Sequence, residues 1–140
     1  MKKSFPIKAN EDIEAVGTRT SNLWMLDESI IYIEKKPDVE IRLEDAIENN
    51  QVILAISKSN KWSLLIDIRS IKSISKEARE YYSDDKSMPG RCAIALLVDS
   101  YFSRIMANIF IGYSNASIPI KLFSSKEMAM EWLKKKVYNE

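Results

Sequence analysis

A chain of 140 residues is the size of one domain, and a domain of that length buries roughly 68–70% of the surface its unfolded chain would expose. With 46% apolar and 29% charged residues it has the composition of a globular protein, too apolar for disorder and too often interrupted for a membrane span. A formal net charge of +1 supplies no basic face for a phosphate backbone, one cysteine permits no internal disulfide or thiolate cluster, and the absence of histidine removes the commonest general base and metal ligand. Neither nucleic acid, a metal nor a cofactor is therefore expected as a partner, and no enzyme motif stands out.

The opening "MKKSFPIKANEDIE" carries two lysines without a following apolar stretch, so no secretory leader is expected there and the cytoplasm is the expected compartment. Residues 1–17 read as a loosely held arm and 18–138 as the domain. "TRTSNLWML", the turn "DES" and "IIYIEKK" compose a β-hairpin. After Pro37 and Asp38, "RLEDAIENNQVILAISK" sets Leu43, Ala46, Ile47, Asn50, Ile53 and Leu54 at helical spacing, which predicts a first helix of about four turns.

"WSLLIDI" is a nearly continuous apolar run, the pattern of a parallel strand covered on both faces. Ser75 then fits an N-cap for a second helix, "KEAREYYSDDKS", closed by the loop "SMPGR". "CAIALLV" is a second buried strand in which Cys92 serves as a small hydrophobe. A third helix over "YFSRIMANIFIGY" follows, with Phe102, Ile105, Met106, Ile109, Phe110 and Tyr113 on one broad face taken as core. Pro119 assigns the last strand, "IPIKLF", to an edge. Ser124 or Ser125 caps a final helix whose stripe is Met128, Ala129, Trp132 and Leu133, with Lys134 to Lys136 at its negative end.

Alternation of this kind predicts an α/β domain with a mostly parallel sheet of four to five strands, an N-terminal hairpin and four helices. The element order and the residues "LLIDIRSIKSIS" resemble the SpoIIAA-like, or STAS, superfamily of bacterial anti-sigma-factor antagonists. The hairpin "LWMLDESIIYIEKK" and the segments "DIRSIKSISKEAREYY", "ALLVDSYFSRIMANIFIG" and "IPIKLFSSKEMAMEWL" extend the likeness to small uncharacterised bacterial STAS-like proteins, over about residues 18 to 135. In the antagonists, an Asp-Ser pair opens the helix after the strand that ends in aspartate, and phosphorylation of that serine switches partner binding. Aligning on Asp67 puts Ser75 at the aspartate of the pair and Lys76 at the serine, so the resemblance carries the fold across but not the switch.

Ligands and partners of parallel sheets meet the carboxyl ends of the strands. There the sequence puts Asp67, Arg69, Ser75 and Lys76 after one strand and Asp99, Ser100, Ser103 and Arg104 after the next, a charged rim suited to protein contact. The bland account of the same residues is that the serines are N-caps worth about 1 kcal/mol each and that the arginines pair with the aspartates to hold their loops. Catalysis by two carboxylates needs environments that push their pKa values apart, whereas adjacent arginines hold both ionised. The expected function is a non-catalytic regulatory or interaction module, acting as a homodimer or with a protein partner. The rival is a small-molecule or lipid carrier with an apolar pocket under the third helix, lined by Phe102, Met106 and Phe110.

Overall fold

The computed structural model describes residues 15–57, 60–84, 86, 88–112 and 117–139. Residues 1–14 of the expected arm, together with Tyr113, lie outside the described residues. The hairpin comprises β2 (Ser21–Asp27) and β3 (Ile30–Lys35), with β1 (Val16–Gly17) pairing antiparallel on its outer side. From β3 the chain runs through β4 (Glu40–Ile41) and α1 (Leu43–Ile56) into β5 (Trp62–Asp67). It continues through β6 (Ser73–Ile74) and α2 (Lys76–Tyr82) into β7 (Arg91–Leu97), then α3 (Tyr101–Gly112), β8 (Ile120–Phe123), α4 (Lys126–Lys134) and a π-helical turn, Lys135–Asn139.

Six strands form one sheet in the order β1-β2-β3-β5-β7-β8, parallel from β3 to β8, and β4 pairs with β6 as a separate two-stranded parallel piece. Each crossover from β3 to β8 steps to the adjacent strand in the same direction. Since such crossovers are right-handed, the three intervening helices must share one face. Side-chain alternation confirms it. Ile31, Ile33, Leu64, Ile66, Ile94 and Leu96 pack with Ala46 and Ile53 of α1, Ala78 and Tyr82 of α2, and Ala107 and Phe110 of α3. The intervening residues Ile30, Tyr32, Leu65, Ala93 and Ala95 meet Ala129 and Leu133 of α4, which together with the π-helical turn after it covers the other face. Every residue of β5 is buried, as its apolar run requires, and β8 takes the edge that Pro119 assigns it.

Local chemistry sets the joints. Ser75 Oγ accepts the Ala78 N–H at 3.1 Å and Ser125 Oγ the Met128 N–H at 3.2 Å, so both are N-caps. Asp45 accepts the Arg42 N–H at 2.9 Å at the start of α1 and is clamped by Arg19 through two bonds of 2.7 Å, which ties the hairpin approach to the helix. Gly90, at φ +91°, lies against the chain at Asn60, where a Cβ would collide with the carbonyl oxygen.

Several expectations about sidedness need correction. On α1, Ala46, Asn50 and Ile53 of the expected stripe are buried, but Leu43, Ile47 and Leu54 are exposed and Asp45 and Asn49 are buried in their stead. The polar residues turn inward because α1 packs beside α2 and the hairpin through hydrogen bonds rather than through a continuous apolar stripe. Helix α2 stops at Tyr82, short of "SDDKS", where Ser83 Oγ turns back to donate to the Glu80 carbonyl at 3.0 Å. On α3, Phe102, Ile105 and Ile109 are exposed, leaving Ser103, Ala107 and Phe110 as the buried contacts. Met128 of α4 is exposed as well, whereas Ala129 and Leu133 form the seat.

Candidate functional site

At the carboxyl ends of β3 and β5, a polar cleft of about 360 Å³ is lined by Asn22, Glu34, Lys35, Lys36, Pro37, Asp67, Arg69, Ser70 and Asp99. Three of the rim residues expected from sequence, Asp67, Arg69 and Asp99, therefore meet in one place. Asp67 is almost fully buried and accepts from the Arg69 N–H at 3.0 Å, Arg69 Nε at 2.9 Å and Arg69 Nη2 at 2.7 Å. The Tyr32 hydroxyl, on the α4 side of the sheet, donates to it at 3.3 Å. Hydrogen bonding to Asp67 holds the Arg69 guanidinium even more firmly protonated than usual, and burial, followed by the Asp67 charge, pushes the Tyr32 phenol well above its ordinary value. Four donors on one carboxylate leave it saturated. It is a joint that fixes the loop after β5 to the strand end.

The other rim residues stay outside the cleft. Ser103 is fully buried, and its Oγ accepts the N–H groups of Asp99 and Ser100, both at 3.0 Å, while Ser100 Oγ accepts the Ser103 N–H at 3.1 Å. This reciprocal arrangement starts α3. Lys76 stands in solvent 3.9 Å from Glu80, and Ser75 is engaged as a cap. Arg104 is exposed on α3, and among the described residues no ion pair joins it to Asp99. The Arg69–Asp67 half of the loop-holding account is thus formed and the Arg104–Asp99 half is not.

A second space, of about 40 Å³, lies between the main sheet, the β4–β6 piece, α2 and α3. Its walls are mostly isoleucine and leucine, with Met106 and Phe110 from α3. Phe102 is not part of it, because that ring lies on the outer side of the helix. Lys35, outside the expected rim residues, stands where the two spaces adjoin, with Tyr82 beside it. Lys35 is only 6% exposed and lines both the cleft and the cavity; Tyr82 is 8% exposed and lines the cavity. Lys35 Nζ donates to the Tyr82 hydroxyl at 3.3 Å and lies 5.4 Å from the centre of its ring. Asn49 Nδ2 donates to the same oxygen at 3.4 Å. A signal for Lys35 was present in "IIYIEKK", where strand alternation puts it on the face of Ile31 and Ile33.

The outer surface of α3 is the third feature. Tyr101, Phe102, Ile105 and Ile109 are 82%, 49%, 38% and 37% exposed and follow one another along a single side of the helix. Among the described residues no helix is long and apolar enough to cross a membrane.

Comparison with known proteins accords with this geometry. A crystal structure of an uncharacterised protein of the DUF3478 family from Shewanella loihica PV-4, described as having a SpoIIAA-like fold, superposes with a TM-score of 0.50 at 16% identity. The match covers 86% of this chain and 91% of that one, and it shows that the fold here is SpoIIAA-like. No curated protein matches the chain. The model of a family described as a domain of unknown function, DUF7793, matches residues 23–137, and the chain belongs to that family.

Proposed function

We propose that this SpoIIAA-like domain is a non-catalytic interaction module that associates through the outer face of α3 and the adjoining charged rim, either with a second copy of itself or with a protein partner. The exposed stripe Tyr101, Phe102, Ile105 and Ile109 is the observation that carries this reading. Solitary exposed apolar residues are ordinary, but a contiguous run along one helix leaves apolar surface that association would remove from water. Arg104 borders the stripe, and Arg69 and Asp99 line the cleft beyond the start of α3, so the contact would have an apolar centre with a charged border. The saturation of Asp67 weighs against proton-transfer chemistry at the rim. Lys76, where the antagonists carry their phosphorylated serine, weighs against that switch. A lipid carrier fits less well, since a cavity of about 40 Å³ is far below the size of a lipid.

Sedimentation equilibrium of the wild type beside an Ile105→Asp/Ile109→Asp variant tests the reading, accompanied by crosslinked capture from lysate with Arg69→Glu/Arg104→Glu. The expected result is an association that each still-folded variant weakens. A wild type that stays monomeric and captures nothing the variants lose would remove the proposal.

A further inference from the structure

We infer a second, separate site in this domain, at Lys35 and Tyr82, that binds a short-chain aliphatic carboxylate with its charged end against these two side chains and its hydrocarbon end in the adjoining apolar cavity. The inference begins with a mismatch in hydrogen-bonding capacity. An ammonium group has three donors, and Lys35 uses one of them on a neutral phenol oxygen at 3.3 Å. No carboxylate lies within ion-pair distance of Lys35 among the described residues, although the side chain is almost fully buried. A buried cation of this kind is ordinarily stabilised by an acid or strong hydrogen bonds. Tyr82 has the same surplus. Its oxygen accepts from Lys35 and Asn49, while its own proton has no acceptor among the described residues. The two remaining ammonium donors and the phenol proton, without acceptors among the described residues, form half of a carboxylate site.

The surroundings specify the rest of the ligand. Beyond Tyr82 the cavity is walled by Ile33, Ile66, Ile94 and Met106, and no carboxylate lines it. A second buried cation, Arg91, also lines the cavity, with Nη1 donating to the Tyr82 carbonyl at 2.9 Å, so the local charge is positive. A water-sized group needs about 10–15 Å³ of void. The void of about 40 Å³ therefore holds roughly three such groups, the length of a propyl chain. A butanoate-like anion meets both requirements, whereas a long-chain fatty acid does not. Lys35 also lines the open cleft, so the proposed entry for the anion is from the rim. This site is independent of the α3 surface, so either proposal can fail without the other.

The test is an amide chemical-shift titration of the full chain with acetate, propanoate, butanoate and hexanoate at constant pH and ionic strength, alongside 1-butanol and inorganic phosphate. Saturable shifts around Lys35 and along α3 are expected with butanoate, with affinity rising from acetate and falling again once the chain outgrows the cavity. Lys35→Met should weaken butanoate roughly tenfold or more and leave 1-butanol unchanged. Met106→Phe, which fills the void and keeps both donors, should weaken butanoate and 1-butanol together, and it serves as the test should Lys35→Met fail to fold. Three results would overturn the site: butanoate shifts that do not saturate in the tens of millimolar, an affinity indifferent to chain length, or phosphate bound as tightly as butanoate. Unchanged butanoate affinity in either folded variant would do the same.

Discussion

Asp67 and Lys35 are buried charges at the same end of neighbouring parallel strands, on opposite faces of the sheet, and their surroundings could hardly differ more. Asp67 is met by three donors of Arg69, two residues further along the chain, and by the Tyr32 hydroxyl. Lys35 is met by one phenol that already accepts from Asn49. A charge surrounded by complementary partners is part of the scaffold. One left with neutral partners alone costs free energy in the free protein and is positioned to recover it when an anion arrives.

The contrast makes predictions of opposite sign. Asp67→Ala should have the largest effect, a loss of about 2–3 kcal/mol in chemical denaturation, because it strands Arg69 and Tyr32; the figure lies below the roughly 3–5 kcal/mol of a fully buried pair since Arg69 is a third exposed. Lys35→Met should raise the stability of the unliganded protein by about 1 kcal/mol, by substituting a similar apolar volume for a charge without an acid partner. Should Lys35→Met instead destabilise as much as Asp67→Ala, Lys35 would be a structural charge and the comparison would collapse.

Smaller changes sharpen the same division. Ser75→Ala removes an N-cap and should cost about 1 kcal/mol while leaving association at α3 intact, measured by denaturation beside sedimentation; a loss of association would return Ser75 to the interface. The Arg19–Asp45 pair supplies a pH signature for the scaffold class. Hydrogen bonding to Arg19 holds the Asp45 carboxyl below its ordinary value, so its contribution to stability is present above the unfolded-state value and lost as pH falls through the folded one. Unfolding curves across the acid range should show that loss in the wild type and a flatter dependence in Arg19→Met. Curves of equal slope would mean that the pair does not contribute in solution.

Much of the scaffold was legible because its signals are local. The buried run Trp62–Asp67, the caps Ser75 and Ser125, and the edge position announced by Pro119 each depend on a few consecutive residues, and each is present in the fold. Strands β1, β4 and β6 escaped notice because two residues carry no periodicity. The orientation of α3 is illegible for another reason. That helix is apolar over most of its circumference, so the pattern could not say which side would meet the sheet, and Ser103 and Ala107 did so while Phe102 turned outward. The candidate site is half visible in the sequence: Asp67, Arg69 and Asp99 stand out as strand-end charges, whereas nothing local distinguishes Lys35 beyond strand alternation.

The amino-acid sequence by itself determined the order and kind of the main elements and the single direction of the parallel strands, since alternation, capping and crossover handedness act over short stretches of backbone. Tertiary structure alone decided which apolar side chains found cover and which charges found partners. Tyr32 reaches Asp67 across 35 positions and Lys35 reaches Tyr82 across 47. Contacts so remote in the chain leave no periodic trace, and they form only when the sheet and the helices on it bring those positions together.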